Sequence, residues 1–158
     1  MGTEPCILTP ADLLTYWLGH RRLTRRVIQA FPDTALFTFT PAPPMRSFAE
    51  LIWEIHETTT YTLNVLLTGI CPPTSRGEVT WPDRAALLAD WDALSARLDT
   101  DLPGVPPERY TQTLLFPWQV ETGFQAALGE IDNEIHHRGQ GTVYLRLLGV
   151  KPPEFWER

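Results

Sequence analysis

Two adjacent histidines, His136 and His137, lie in the stretch IDNEIHHRGQGTVYLRLLG, residues 131–149. Histidines placed like this can hold a metal, exchange protons near neutral pH, or simply cap and pack a helix. On a helix, neighbours are about 100° apart and residues four apart are stacked. His136 and His137 therefore cannot both face one small site without strain. Asn133 and His137 can, and Glu130 extends the same face one turn earlier, beside the apolar stripe rather than on it. His136 should point toward Asp132 or a neighbouring element. A second helix offers Glu54 and His56, roughly 200° apart by the same geometry, so they flank its buried stripe on opposite sides. Spacing alone does not choose between them. Imidazole and carboxylate donors suit zinc, nickel, iron or manganese. Asparagine is a weak ligand, because its oxygen is neutral. The metal-free counterpart is a polar cluster in which Glu54 accepts a hydrogen bond from His137 and Asn133 bridges the two.

The remaining chemistry-bearing residues carry weaker patterns. Cys6 and Cys71 have no histidine in a recognisable context and read as structural or incidental. Serine nucleophile elbows, phosphate loops and dinucleotide fingerprints are absent from the sequence. His20 stands alone and reads as a surface or packing residue. The run HRRLTRR, His20 to Arg26, is the single basic stretch and reads as a solvated helix face. The net charge of −6 argues against nucleic acid as a partner, since phosphate binding needs a dense basic face. Six tryptophans read as core anchors or dimer contacts, with a ligand-stacking role for one of them as the alternative.

The elements that must position these residues are helices. A chain of 158 residues with 43% hydrophobic content suits one domain, residues 1–158, with one core. No apolar run approaches the ~18 residues of a membrane span, and the two distant cysteines suit a reducing compartment. A soluble cytoplasmic protein is expected. The first helix should start at Thr9 as N-cap with Pro10 and Asp12 following, and Pro32 should help end it. Ser47 and Glu50 form a capping-box pattern for the second, whose stripe runs from Phe48 to Leu66 and which Gly69 can end. The third begins near WPDR, with Pro82 as an early helical residue and Leu87, Leu88, Trp91, Leu94 and Leu98 on one face. Residues 103–117 read as an extended connection in which RYTQTLLF contributes a short strand. The last helix is predicted from about Trp118 to Leu148, with Phe124, Leu128, Ile131, Ile135, Thr142 and Leu145 in its stripe. Gly129, Gly139 and Gly141 would there permit close helix contact. The tail EFWER is apolar enough to dock on the bundle. Four long amphipathic helices make an all-α four-helix bundle the leading fold.

The segment EIHHRGQGTVYLRLLGVKPPEF closely resembles the C-terminal signature of the DinB/YfiT-like superfamily, and MRSFAELIWEI followed by YTLNVLLTG resembles its second helix. The resemblance implies a four-helix bundle with a long crossover connection, often a homodimer. It also implies a divalent metal held by three histidines, one from the second helix and two from the last, four residues apart. Members so described include thiol transferases using a low-molecular-weight thiol and metal-dependent hydrolases, acting on small-molecule or thiol substrates. Carried onto this chain, His137 takes the ligand position before RGQ, the other last-helix ligand falls on Asn133, and the second-helix ligand falls on Glu54, with His56 two residues later. In the metal-dependent reading, His137 and Glu54 hold zinc, nickel or manganese, Asn133 assists, Glu130 accepts a proton, and His136 hydrogen-bonds from outside the ligand set. The rival readings are a non-catalytic, metal-free bundle acting as a binding or stress-associated scaffold, and an enzyme using Glu54 and His137 as an acid–base pair.

Overall fold

A computed structural model of the chain describes residues 8–75 and 77–158; Cys6 lies outside them. The main helices are α1 (Pro10–Ala30), α3 (Phe48–Thr68), α4 (Arg84–Asp101) and α5 (Gly123–Leu147), with a short α2 (Asp33–Thr38) after α1. They form a four-helix bundle in which α5 packs against α3 and α1, and α4 packs against α1 and α3. Among the described residues no helix is long and apolar enough to cross a membrane.

Local chemistry sets the helix starts. Thr9 and Asp12 form a reciprocal capping box at α1, and Ser47 and Glu50 form one at α3. Each side chain thereby satisfies a backbone N–H that the first turn leaves unpaired. Gly69 ends α3 at φ 76°, a left-handed conformation that a side chain would resist. Two predicted starts need correction. Pro82 lies outside α4, because Asp83 is the N-cap and accepts a hydrogen bond from Ala86 N at 2.8 Å. Trp118 does not open α5. The chain instead makes an antiparallel hairpin, β1 (Thr113–Leu115) with β2 (Val120–Thr122), and Thr122 then caps α5 reciprocally with Gln125.

The interior has two apolar ends and a polar waist. At one end Val27, Ile28, Phe48, Ile52, Trp91 and Tyr144 pack together; at the other, Leu13, Trp17, Leu63, Leu66, Leu98 and Ile131. Between these stretches each main helix contributes polar side chains: His20, Arg21 and Thr24 from α1, Thr59 and Thr62 from α3, Ser95 from α4, and Glu130, Glu134, His137 and Arg138 from α5. Gly141 lies where α5 meets α3, and a Cβ there would clash with the Phe48 ring. Gly129 and Gly139 make no such approach, since a Cβ at either would meet nothing within 4 Å.

Three predicted surfaces change. His20 and Arg21, in the basic run expected to be solvated, are 2% and 1% exposed. Of the stripe expected on α5, Ile131 and Leu145 are buried but Phe124 and Ile135 are exposed, because the inward face also takes in Glu130, Glu134, His137 and Arg138. Phe155 and Trp156 are 70% and 64% exposed rather than docked, although Glu157 pairs with Arg26 at 2.9 Å.

The α1 side of the waist is a charged network. Among the described residues His20 Nε2 is left without a hydrogen bond, and one Arg21–Glu134 contact is an ion pair beyond hydrogen-bond distance. Arg21 donates to Ser95 Oγ at 2.7 Å and to the Trp91 carbonyl at 3.1 Å, lies 3.7 Å over the Trp91 ring, and pairs with Glu134 at 3.9 Å. Arg138 donates to Thr24 Oγ1 at 3.0 Å and to His20 Nδ1 at 2.9 Å, and Thr24 donates to Glu134. That contact fixes a lone pair on His20 Nδ1. Burial, then the Arg138 charge, pushes the His20 pKa down to about 4. The unfolded chain therefore takes up the proton first, and His20 removes stability as pH falls from about 6.5 toward 4. Deleting Glu134 would leave Arg21 and Arg138 buried without their counter-charge. Glu134→Ala is expected to lower the unfolding free energy by about 3–5 kcal/mol in urea titration; a loss below ~1 kcal/mol would contradict this description of the network.

Candidate functional site

The α3 side of the waist carries the residues singled out from the sequence. Thr58, Thr59 and Thr62 of α3 converge on Glu130 of α5. Thr58 Oγ1 donates to its Oε2 at 2.7 Å, Thr62 Oγ1 donates to its Oε1 at 2.8 Å, and Thr59 lies at 3.4 Å. Among the described residues no cation makes a contact ion pair with this carboxyl, although the charge of buried Arg21 is felt across the waist. Burial raises its pKa to about 7, against the three hydroxyl hydrogen bonds, which lower it.

Two turns along α5, His137 Nε2 meets Glu54 Oε1 of α3 at 3.0 Å. Arg46 donates to the other oxygen of Glu54 at 2.5 Å. The Arg46 carbonyl is in turn held by the Tyr144 hydroxyl of α5 at 3.1 Å, so the bundle itself fixes this partner. Burial works to raise the Glu54 pKa, but hydrogen bonds from His137 and Arg46 together outweigh it and hold the carboxyl below its ordinary value. Burial lowers the His137 pKa, partly opposed by Glu54. The pair is therefore a neutral imidazole donating from Nε2 to a carboxylate.

The other predicted site residues are dispersed. Asn133 does not bridge Glu54 and His137; its amide nitrogen donates to Thr58 Oγ1 at 3.5 Å. His136 is exposed and meets Gln140 Nε2 at 3.0 Å, not Asp132. His56 packs its ring against Trp53 and Trp81, at centroid distances of 6.2 and 5.7 Å, and burial pushes its pKa down.

These positions test the fit of a three-ligand metal. The Glu54–His137 separation is short enough for two donors to share one ion, since two bonds near 2 Å span roughly 4 Å. The rest of the donor set fails. The second Glu54 oxygen is held by a guanidinium, the third position is a neutral amide turned to a threonine, and Glu130 is held by three hydroxyls. Among the described residues no group of three or more His, Cys, Asp or Glu is arranged to hold a metal ion. The residues present do not fit the three-ligand centre.

Beside this pair lies a groove of about 900 Å³ along α3. Its walls include Trp53, His56 and Tyr61 of α3, Trp118 from the hairpin loop, and Glu130 and Asn133 of α5. Glu54 and His56, placed on opposite flanks of the α3 stripe, both border it. Trp118 is 47% exposed and lies 5.3 Å from the Tyr61 ring. Sequence reasoning places Thr59 and Thr62 in the buried stripe of α3, as the structure does, but misses their convergence with Thr58 on Glu130 and the aromatic wall. The signal was the run Thr58-Thr59-Thr60 with Thr62 inside a helix, since β-branched polar residues are poor helix formers and need another reason to be there.

The raised pKa of Glu130 carries a stability sign. Its folded value lies above its unfolded one, so the native state favours the neutral carboxyl, and stability falls as pH rises from about 4.5 through about 7. Glu130→Gln removes that titration. The stability of the variant relative to the native chain is expected to improve by about 2–3 kcal/mol between pH 5 and pH 8, read by urea unfolding. A difference that does not change with pH would show that Glu130 titrates normally.

Comparison with known proteins agrees with this architecture. No curated protein matches the chain. The fold resembles that of a DinB-like protein from Bacillus cereus, with a TM-score of 0.73 at 18% identity over 92% of this chain and 97% of that one. It also resembles a DinB-like protein from Bacillus subtilis, with a TM-score of 0.76 at 20% identity over 93% of this chain and 98% of that one. A profile of the DinB family matches residues 128–158, and a profile of the DinB superfamily matches residues 16–140. The chain belongs to the DinB superfamily.

Proposed function

We propose that this chain is a metal-free, small-molecule-binding member of the superfamily, with its ligand seated in the groove between α3 and α5. The observation that carries this reading is the groove itself, about 900 Å³ with an aromatic wall and a buried carboxyl, beside a Glu54–His137 pair already committed to each other and to Arg46. Apolar concavities with a few convergent polar groups are the usual form of ligand sites. Glu54, His137 and Arg46 then act as a brace that holds α3, α5 and the residues before α3 in register at the groove's edge.

The metal-dependent thiol transferase or hydrolase needs a third strong donor, and position 133 supplies an amide. That is the specific reason the geometry supports the metal-free binding reading better. The acid–base reading shifts as well. Glu130, not the Glu54–His137 pair, is the groove-lining carboxyl with a pKa near neutrality, the range in which a side chain best exchanges protons with a bound molecule.

Elemental analysis of tag-free protein equilibrated with zinc, nickel and manganese tests the metal-free half of this reading. The native chain is expected to retain under about a tenth of an equivalent after desalting, and Asn133→His, which restores an imidazole opposite Glu54, to retain several-fold more. A native chain that keeps one equivalent would overturn it.

A further inference from the structure

The groove's charge and walls point to a class of ligand. Carboxylates reach it from three separate elements: Glu57 on α3, Glu121 on β2 and Glu130 on α5, with Glu54 balanced by Arg46. Neither lysine nor arginine lines it among the described residues, and His56 is held neutral by burial. Glu57 accepts the Gly77 backbone N–H at 3.2 Å, and Glu121 accepts from Gln119 at 2.7 Å. Glu130 accepts only from hydroxyl groups. A buried carboxylate with no cation in contact is costly, and a cation reaching it would reduce that cost. The walls add a second preference. The faces of Trp53, Tyr61 and Trp118 carry negative quadrupoles that attract organic cations and also bury apolar area.

We propose that the groove binds an amine-bearing organic cation, with its ammonium at Glu130 and its apolar body against Tyr61 and Trp118. This assignment rests on the small-molecule reading above and gives it a substrate class. A neutral ligand would leave the Glu130 penalty in place, and an anion would add repulsion from Glu57 and Glu121. A hydrated inorganic ion would leave the aromatic walls and most of the groove unused. The raised pKa of Glu130 is consistent with a site whose cation arrives with the ligand, since pairing restores the ionised form.

Three probes of one skeleton test the assignment: phenethylamine, 2-phenylethanol and 3-phenylpropionate, each titrated into the full chain by calorimetry at pH 7.5, with tryptophan fluorescence in parallel. Phenethylamine is expected to bind at least tenfold tighter than the alcohol, and the carboxylate weakest. Glu130→Gln should weaken the amine at least tenfold and leave the alcohol within about threefold. Glu121→Gln, on the hairpin and away from the packed waist, should weaken the amine about threefold and keep the test open if the first variant folds poorly. If the alcohol or the carboxylate binds as tightly as the amine, the cation assignment falls while the small-molecule groove stands. If none of the three binds at millimolar concentration and the fluorescence stays flat, both fall.

Discussion

The structure depends on one constraint: α5 buries a polar stripe. Glu130, Glu134, His137 and Arg138 all lie on the inward face of that helix and are no more than 6% exposed. Buried polar and charged groups cost several kcal/mol unless each finds a partner, so the other helices must meet them. They do so in a divided way. α1 brings Thr24, His20 and Arg21 to Glu134 and Arg138, and α3 brings Thr58, Thr59, Thr62 and Glu54 to Glu130 and His137. This requirement fixes which helices flank α5 and at what height along it.

The two sides are satisfied to different degrees. On the α1 side, opposite charges face one another, and Arg21 is further enclosed by Ser95 and the Trp91 ring. On the α3 side, His137 has its carboxylate, but Glu130 receives only hydroxyl groups. A buried carboxyl met only by neutral donors keeps more of its desolvation cost than one facing a guanidinium. The half whose buried carboxyl lacks an ion-pair partner is also the half that borders the groove. A residue that lowers stability at working pH and lines a cavity is more economically explained by a bound partner than by packing.

Much of the architecture was legible in the residues, because helix starts are local. Thr9–Asp12 and Ser47–Glu50 are three residues apart and form their boxes without help from the rest of the chain. The Glu54–His137 contact could be named as one alternative, because helical spacing puts Asn133 and His137 on one face and an unpaired buried histidine needs a carboxylate. What escaped the sequence was non-local. Arg21 looks like part of a solvated basic run until Glu134, far along the chain, is placed against it. Trp118 fits a helical start until Val120 pairs with Leu115 and turns it into a hairpin loop. The apolar spacing in α5 suggested Phe124 and Ile135 as buried, whereas the inward face combines Ile131 and Leu145 with Glu130, Glu134, His137 and Arg138. Hydrophobic periodicity cannot find a stripe whose burial depends on partners elsewhere.

The resemblance to the superfamily located the ligand positions, and the chemistry of this chain then alters their use. With asparagine at position 133, the histidine and glutamate that would grip an ion are engaged with each other, and the glutamate also with Arg46. The most direct measurement is anomalous diffraction, at the zinc absorption edge, from crystals equilibrated in millimolar zinc. The account predicts a direct hydrogen bond of about 3.0 Å between His137 Nε2 and Glu54 Oε1, Arg46 on the second oxygen, and no anomalous peak within bonding distance of either residue. A peak bridging His137 and Glu54, with Arg46 displaced, would contradict it.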